Sequence, residues 1–243
     1  MDPIALQIGP IVIRWYGLLI ALAFIIGLLL AMREAKIQSF NVDHLLNVVI
    51  LGGILGIIGA RAYYVIFKWS YYMEYPWEIP AIWHGGLAIH GGLIGAIIAG
   101  LLYTKREKLS FWQLADIVSP SIILGQAIGR WGNFFNQEAY GYPTDLPWAM
   151  YIDGAYRHPT FLYEFIWNLI VFFFLLWLRR RKGIRRGEVF LAYLIGYSLG
   201  RLIIEGFRTD SLMLGPFRVA QLISLVFIIG SAFLIYYRRK KVC

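Results

Sequence analysis

The chain has 243 residues, of which 59% are hydrophobic and 15% are charged. A soluble domain would carry close to one quarter charged residues, so this composition excludes an ordinary soluble fold. Several uncharged stretches approach or exceed the roughly 20 apolar residues that a helix needs to cross a bilayer. The composition therefore indicates a polytopic membrane protein.

Taken in chain order, hydropathy and charge predict seven transmembrane helices. Their ranges are 14–32, 45–67, 84–104, 112–130, 160–178, 188–205 and 217–237. No internal repeat divides the chain, so we predict an all-α fold with a single domain over residues 1–243. No basic stretch precedes the first helix and no small-residue cleavage site follows it. We therefore expect this helix to remain as an anchor rather than be removed as a signal peptide.

The segments between the predicted helices alternate in basicity. Residues 33–44, 104–111, 179–187 and the tail after 237 hold 15 of the 23 Lys and Arg residues. The positive-inside rule assigns these segments to the cytoplasm, which places the N-terminus outside and the C-terminus in the cytoplasm. The net charge of +9 is then a signal of membrane topology. It indicates the lipid bilayer as a partner and no nucleic acid.

Polar residues in the predicted helices concentrate near the outer ends. They are Arg14, Tyr16, Arg61, His84, His90, Arg130, Glu164, Arg201 and Glu205, and Asp116 is the main exception. Charged groups in spanning segments cost a few kcal/mol each and face the interior of a helix bundle, so they indicate a functional site. For an arginine at a helix end such as Arg14, extension toward the lipid head groups is the alternative.

The first motif is His-Gly-Gly-Leu, which occurs at residues 84–87 and again at 90–93. On a helix, His84 and His90 would point about 120° apart, and they lack the i, i+3 or i+4 spacing of a helical metal site. The glycines indicate irregular or closely approached backbone, which a membrane tolerates only where protein or a cavity surrounds it. A packing histidine is the alternative reading, but the flanking glycines favour a functional role for His90.

The second motif spans residues 129–141, Gly-Arg-Trp-Gly-Asn-Phe-Phe-Asn-Gln-Glu-Ala-Tyr-Gly. If the helix continues past residue 130, Arg130 and Asn133 share one face. A guanidinium can bind phosphate through two parallel hydrogen bonds, and amides can bind the hydroxyls of a sugar or glycerol. A polar surface turn is the alternative, but such a turn would not need three glycines among aromatic residues.

The third motif spans residues 197–208. Tyr197, Arg201 and Glu205 recur every four residues and so line one helix face. The i, i+4 spacing predicts an internal ion pair between Arg201 and Glu205, which is compatible with a catalytic role.

These motifs resemble the bacterial prolipoprotein diacylglyceryl transferases. Residues 129–141 agree with that family's Gly-Arg-x-Gly-Asn-Phe-x-Asn-x-Glu-x-x-Gly signature at every specified position, and residues 85–95 resemble its His-Gly-Gly-Leu region. The segments 14–17, 158–164 and 197–208 also resemble family segments in the expected order. Two features depart from the family. Thr209-Asp210 stand where many relatives have a proline, and the short chain leaves room only for compact external elaboration.

The resemblance implies transfer of the diacylglyceryl group of phosphatidylglycerol to the lipobox cysteine thiol of a prolipoprotein. The products are a thioether and glycerol phosphate, and the site faces the outer leaflet of the bacterial cytoplasmic (inner) membrane. His90, Arg130 and Arg201 would be catalytic, with His90 as a candidate base and the arginines stabilising the phosphate. The glycines beside His90 would let a lipid or a peptide approach the backbone there. The residues implied in substrate binding are Tyr16, Asn133, Glu138, Gly141, Tyr197 and Glu205. No metal and no organic cofactor is expected.

The only cysteine is Cys243, so we expect no intrachain disulfide and no cysteine-based metal site. A small transporter or channel with a polar outer vestibule is the main alternative function. It predicts charges along a whole pore, whereas the inner halves of these helices are nearly free of them. An intramembrane protease is a second alternative, but no Ser–His or paired-aspartate arrangement stands out at membrane depth.

Overall fold

The computed structural model describes residues 3–9, 11–152 and 154–240, which are mostly helical. The helices are α1 Trp15–Ile37, α2 Val42–Phe67, α3 Trp69–Glu74, α4 Ile89–Arg106, α5 Phe111–Asn136, α6 Thr160–Leu178, α7 Glu188–Ile204 and α8 Val219–Lys240. Short strands pair into antiparallel hairpins: β1 Ile4–Ile8 with β2 Ile11–Arg14, β3 Met150–Ile152 with β4 Ala155–Arg157, and β5 Met213–Leu214 with β6 Phe217–Arg218. The all-α prediction omitted these hairpins.

Within the described ranges, five helices are long and apolar enough to cross a membrane. They are α1, α2, α6, α8, and α7 together with the turn that follows it as far as Phe207. Polytopic membrane character is thereby confirmed. Helices α4 and α5 are not among the five, because glycines and polar side chains interrupt their apolar stretches. The number of spans and their orientation stay predictions.

The predicted helix ends, given to within a few residues, differ from the structure at several places, and three of the differences are informative. Helix α4 begins at Ile89, not at residue 84, because Gly85 and Gly86 have φ angles of +85° and +73°, which a right-handed helix does not accommodate. His84 therefore lies in a 3₁₀ turn. Helix α5 continues to Asn136 instead of ending at residue 130, and Arg14 closes β2 instead of opening α1.

Contacts within the chain group it into two units. The first comprises Met1–Ala31 and Ala115–Cys243, and the second comprises Met32–Leu114. The unit boundaries fall inside α1 and α5, so both helices contribute to each unit. A single domain over residues 1–243 stays a prediction.

In the first unit, α1 packs antiparallel against α5. The Trp15 ring stacks on Phe135 with 4.9 Å between the ring centroids. One residue further along α1, the Tyr16 ring lies so close to Gly132 that a Cβ there would collide with it. Glycine at position 132 thus continues the helix and leaves room for an aromatic ring.

Helices α5, α6 and α7 enclose the apolar core of this unit. Its buried members are Ile123, Val171, Phe172, Leu175, Val189 and Tyr193. Helices α6 and α7 approach closely at Gly200, where a Cβ would collide with the Trp167 ring. The Trp167 indole N–H donates to the Gly196 carbonyl at 2.8 Å, which satisfies its polar group within the packed interface.

The first turn of α7 is held by Asp116 of α5 and by Arg239, in the basic last turn of α8. The Asp116 carboxylate accepts the backbone N–H groups of Gly187 and Phe190 at 2.5 and 2.8 Å and so caps α7. Glu188 pairs with Arg239 of α8 at 2.7 Å. The predicted polar exception Asp116 is therefore a helix cap. Arg201 lies 13 residues further along α7 than Glu188, which at helical rise places it about 20 Å away.

In the second unit, α2 and α4 pack through glycines. A Cβ on Gly91 would collide with the Gly59 carbonyl, and one on Gly95 would collide with the Leu55 carbonyl. Small residues allow such close backbone approach between membrane helices. The expectation of closely approached backbone is confirmed. A lipid or peptide was expected to approach the backbone beside His90, but at Gly91 the neighbour is α2.

Candidate functional site

Five charged side chains meet at one end of the first unit. Arg130 lies near the end of α5, Glu164 lies in the second turn of α6, and Arg201 lies in the last turn of α7. Glu205 and Arg208 follow in the next turn of the chain. Their side chains are between 2% and 21% exposed. We call these five residues the arginine cluster.

Glu164 is the centre of the arginine cluster. Its Oε2 lies 2.5 Å from Arg130 Nη2, and its Oε1 accepts hydrogen bonds from Arg201 Nη1 at 3.2 Å and Arg208 Nη1 at 3.0 Å. Arg201 Nη2 also lies 2.8 Å from Glu205 Oε2, which confirms the predicted i, i+4 pair. Because buried charges are stable only when paired, the two carboxylates make it possible to hold three guanidinium groups together.

Asp210 completes the charge balance of the cluster. Arg208 donates from Nε and Nη2 to the two Asp210 carboxylate oxygens at 2.9 and 2.7 Å. Burial disfavours the charged guanidinium, but the hydrogen bond to Asp210 and the charge of Glu164 outweigh it and raise the pKa of Arg208. The hydrogen bond from Arg208 in turn lowers the pKa of Asp210. A residue that departs from the family pattern thus supplies the partner of Arg208.

A polar chain extends from Arg130 along the end of α5. Arg130 Nη1 donates to Asn133 Oδ1 at 3.4 Å, and Asn133 Nδ2 donates to Glu138 Oε1 at 2.9 Å. Arg130 and Asn133 share a face, as predicted, because the helix continues past residue 130. At Gly141, a Cβ would lie only 2.7 Å from the Phe207 carbonyl. The absence of a side chain lets this loop pass directly beside the turn that carries Arg208.

The remaining predicted site residues lie in different surroundings. Tyr16 packs on Gly132 of α5, and Tyr197 stacks on Tyr193 with 6.2 Å between ring centroids. His90 is the second residue of α4 in the second unit, where it is exposed and its ring centroid lies 6.0 Å from that of Tyr63. The structure thus brings Arg130, Arg201, Glu205, Asn133 and Glu138 together, and it describes His90 within another unit.

Two members of the arginine cluster, Glu164 and Arg208, were given no role by the sequence analysis, although Glu164 was among the outer-end polar residues and Arg208 ends the third motif. Glu164 is the only charged residue of α6, which was a usable signal because an unpaired carboxylate is costly in an apolar helix. Arg208 follows Glu205 at i, i+3, a spacing that permits an ion pair.

Among the described residues, no three His, Asp, Glu or Cys side chains group as metal ligands. The expectation that the site needs no metal or organic cofactor stays a prediction.

These features define a helical membrane protein with a buried cluster of guanidinium groups, a class of site suited to a phosphate ester. A family model described as prolipoprotein diacylglyceryl transferase matches residues 3–237. The chain belongs to this family, which confirms the resemblance seen in the sequence.

Similar proteins carry the name phosphatidylglycerol–prolipoprotein diacylglyceryl transferase. The one from Geobacillus kaustophilus (strain HTA426) is 54% identical, over 99% of this chain and 94% of its own length. The one from Listeria monocytogenes serotype 4a (strain HCC23) is 51% identical, over 99% of this chain and 91% of its own length. A transporter or channel is not favoured by these matches.

Proposed function

We propose that this chain transfers the diacylglyceryl group of phosphatidylglycerol to the lipobox cysteine thiol of a prolipoprotein. The observation that carries the proposal is the arginine cluster, formed in a chain whose family match covers residues 3–237. The relatives' names supply the two substrates, phosphatidylglycerol and a prolipoprotein.

In the proposed reaction, the thiolate sulfur attacks the phosphate-bearing carbon of the diacylated glycerol unit, not that of the head-group glycerol. The new C–S bond forms as the C–O bond breaks, and the electron pair of that bond stays on the phosphate oxygen of the departing glycerol phosphate. A free thiol has a pKa of about 8.5, so a base or a positive field is needed to raise the thiolate fraction. We propose His90 as the base that accepts the thiol proton, and a field from the arginines as the alternative.

Arg130 and Arg201 are the proposed phosphate ligands. A guanidinium has five N–H donors, and the contacts described above occupy two nitrogens of each residue. Their side chains are 18% and 21% exposed, so donors remain accessible to a substrate. Glu164 holds both guanidinium groups before substrate arrives. Donors fixed in this way stabilise the charge that grows on the leaving phosphate without reorganisation during the reaction.

The other proposed binding residues surround these two arginines. Asn133 and Glu138 offer hydrogen-bonding groups to the glycerol hydroxyls, and Glu205 orients Arg201. Gly141 lets the loop approach, while Tyr16 and Tyr197 present aromatic surface to the acyl or peptide part of the substrates.

We propose seven membrane spans, with α4 and α5 added to the five apolar helices. The N-terminus would be outside and the C-terminus in the cytoplasm of a bacterial cell, with the arginine cluster toward the outer leaflet. Supporting this orientation, the first turn of α7 contacts the basic end of α8, whereas Arg201 lies at the opposite end of α7. We further propose that residues 1–243 act as a single transferase domain.

In a direct test, the purified protein is incubated with phosphatidylglycerol and a lipobox peptide, and the mass of the peptide is then measured by mass spectrometry. We expect the peptide to gain the mass of one diacylglyceryl group, with glycerol phosphate released in equal amount. A peptide with serine in place of the cysteine is the matched control and should stay unmodified. An unmodified cysteine peptide would contradict the proposed function.

A further inference from the structure

The second unit contains a cavity of about 380 Å³ that none of the steps above uses. Its lining combines cations with aromatic hydroxyls: Arg61 and Lys68, the ion pair of Glu78 and His84, and three tyrosines. All of its lining residues belong to the second unit, Met32–Leu114, and none is a member of the arginine cluster.

Arg61 brings a buried positive charge to this cavity. Its Nε donates to the Ile79 carbonyl at 2.8 Å, Nη1 donates to the Gly85 carbonyl at 2.7 Å, and Nη2 donates to the Glu78 carbonyl. The residue is 7% exposed. Among the described residues it has hydrogen bonds to carbonyl oxygens but no ion pair with a carboxylate. Carbonyl dipoles satisfy its donors, and no described carboxylate lies within ion-pairing distance of its charge, which favours an anion nearby.

The other polar groups of the cavity add to this preference. Lys68 caps the C-terminus of α2, is exposed, and contributes a second permanent positive charge. His84 Nδ1 lies 2.8 Å from Glu78 Oε2, so Nε2 is the ring nitrogen left for another partner. Two permanent cations face one carboxylate, and the tyrosine hydroxyls can donate hydrogen bonds. This donor set suits a phosphate oxyanion.

The segment that forms the cavity wall carries the aromatic residues of a membrane interface. Trp69, Trp77 and Trp83 are 55%, 69% and 75% exposed. Tryptophan and tyrosine concentrate at the depth of the lipid head groups, because one part of each ring is apolar and the other polar. These exposed rings favour a position for the cavity at the depth where a phospholipid presents its phosphate.

We propose that this cavity binds a phosphate group presented by an anionic phospholipid head group. Its lining shares no residue with the arginine cluster, and the proposal goes beyond the transfer reaction.

The test measures how fast an amine-reactive reagent acylates Lys68 in the full-length protein, held in phosphatidylcholine nanodiscs, with tryptic peptides quantified by mass spectrometry. Phosphatidylglycerol, added in place of part of the phosphatidylcholine, should slow labelling of Lys68 several-fold. Labelling of Lys105, an exposed lysine of the same unit, should not change. Inorganic phosphate in buffer forms the third arm and should protect Lys68 much less than the lipid does.

A matched pair of variants gives a second readout. The second readout is protection of His84 by phosphatidylglycerol, measured with a histidine-reactive reagent. Lys68→Gln should weaken this protection by about tenfold, because one charge-assisted hydrogen bond to the lipid phosphate is lost. Lys105→Gln should leave it unchanged. Absent protection of Lys68, protection by inorganic phosphate alone, or equal effects of the two variants would overturn the proposal. Labelling is read without turnover, so a failed transfer assay with intact protection counts only against the proposed function.

Discussion

At the scale of single residues, Glu164 determines how the three arginines are presented. It binds Arg130 through one oxygen, and Arg201 and Arg208 through the other. Removing one partner from such a buried network leaves an uncompensated charge and costs about 3–5 kcal/mol. The guanidinium groups are therefore held in fixed directions before any substrate binds, which is the arrangement that a growing phosphate charge requires.

Lysine at position 130 or 201 would keep the charge and lose the planar fork. Each arginine uses two different nitrogens for its present partners, which a single ammonium cannot reproduce. We expect Arg130→Lys and Arg201→Lys each to lower kcat/KM for transfer by about 10²–10³-fold. Arg106→Lys, at an exposed side chain at the end of α4, serves as the control and should retain activity. Near-normal turnover in both cluster variants would rule out the phosphate assignment.

His90, the proposed general base, can be compared with His84, which has no proposed role in the transfer reaction. If His90 accepts the thiol proton, His90→Gln should lower turnover by about 10²–10⁴-fold. Raising the pH should restore part of the loss, because the substrate thiol, with a pKa of about 8.5, then ionises by itself. His84→Gln should cost far less, since His84 lies in the 3₁₀ turn before α4. Turnover against pH decides between the roles, and a loss that is equal at every pH would assign His90 to substrate positioning.

At the scale of elements, glycines decide how closely the helices pack. Gly91 faces the Gly59 carbonyl and the Tyr63 side chain, so an added methyl group meets backbone that cannot move aside easily. Gly53, on α2, has open space where its Cβ would be. Glycine at position 91 is therefore required for close packing, whereas glycine at position 53 affects only the conformational freedom of the helix backbone.

This difference predicts opposite effects of one substitution. Gly91→Ala should destabilise the protein by about 1–3 kcal/mol through overpacking. Gly53→Ala, the control, should be neutral or stabilise it by up to about 1 kcal/mol, because alanine favours the helix. Equilibrium unfolding in mixed detergent micelles measures both. Equal stability of the two variants would show that α2 and α4 do not depend on this close approach.

At the scale of the whole molecule, the distribution of basic residues predicts the orientation in the membrane. A Cys243→Ser background with either Asp145→Cys or Lys182→Cys places one thiol in each of two exposed loops. In intact cells, an impermeant thiol reagent should label position 145, in the loop between α5 and α6. Position 182, between α6 and α7, should react only after the cells are lysed. The reverse pattern would overturn the orientation and the outer-leaflet placement of the arginine cluster.

The sequence alone determined what depends on neighbours along the chain. Hydropathy and charge together predicted the long helices, and helical spacing predicted that Arg130 meets Asn133 and that Arg201 meets Glu205. The motifs were also sufficient to identify the family. Each of these inferences depends on residues only a few positions apart, where backbone geometry already constrains the distance.

Only the tertiary structure decided which distant residues share a site. Glu164 lies 37 residues before Arg201 and 44 before Arg208, so no local spacing indicates that they meet. For the same reason, the sequence could not predict that Gly91 packs against Gly59, or that Arg61 donates to the Gly85 carbonyl. Helix periodicity tells which side of a helix a residue occupies. Which other helix packs against that side depends on close packing across the whole fold, because side chains must fill space and pair their charges there.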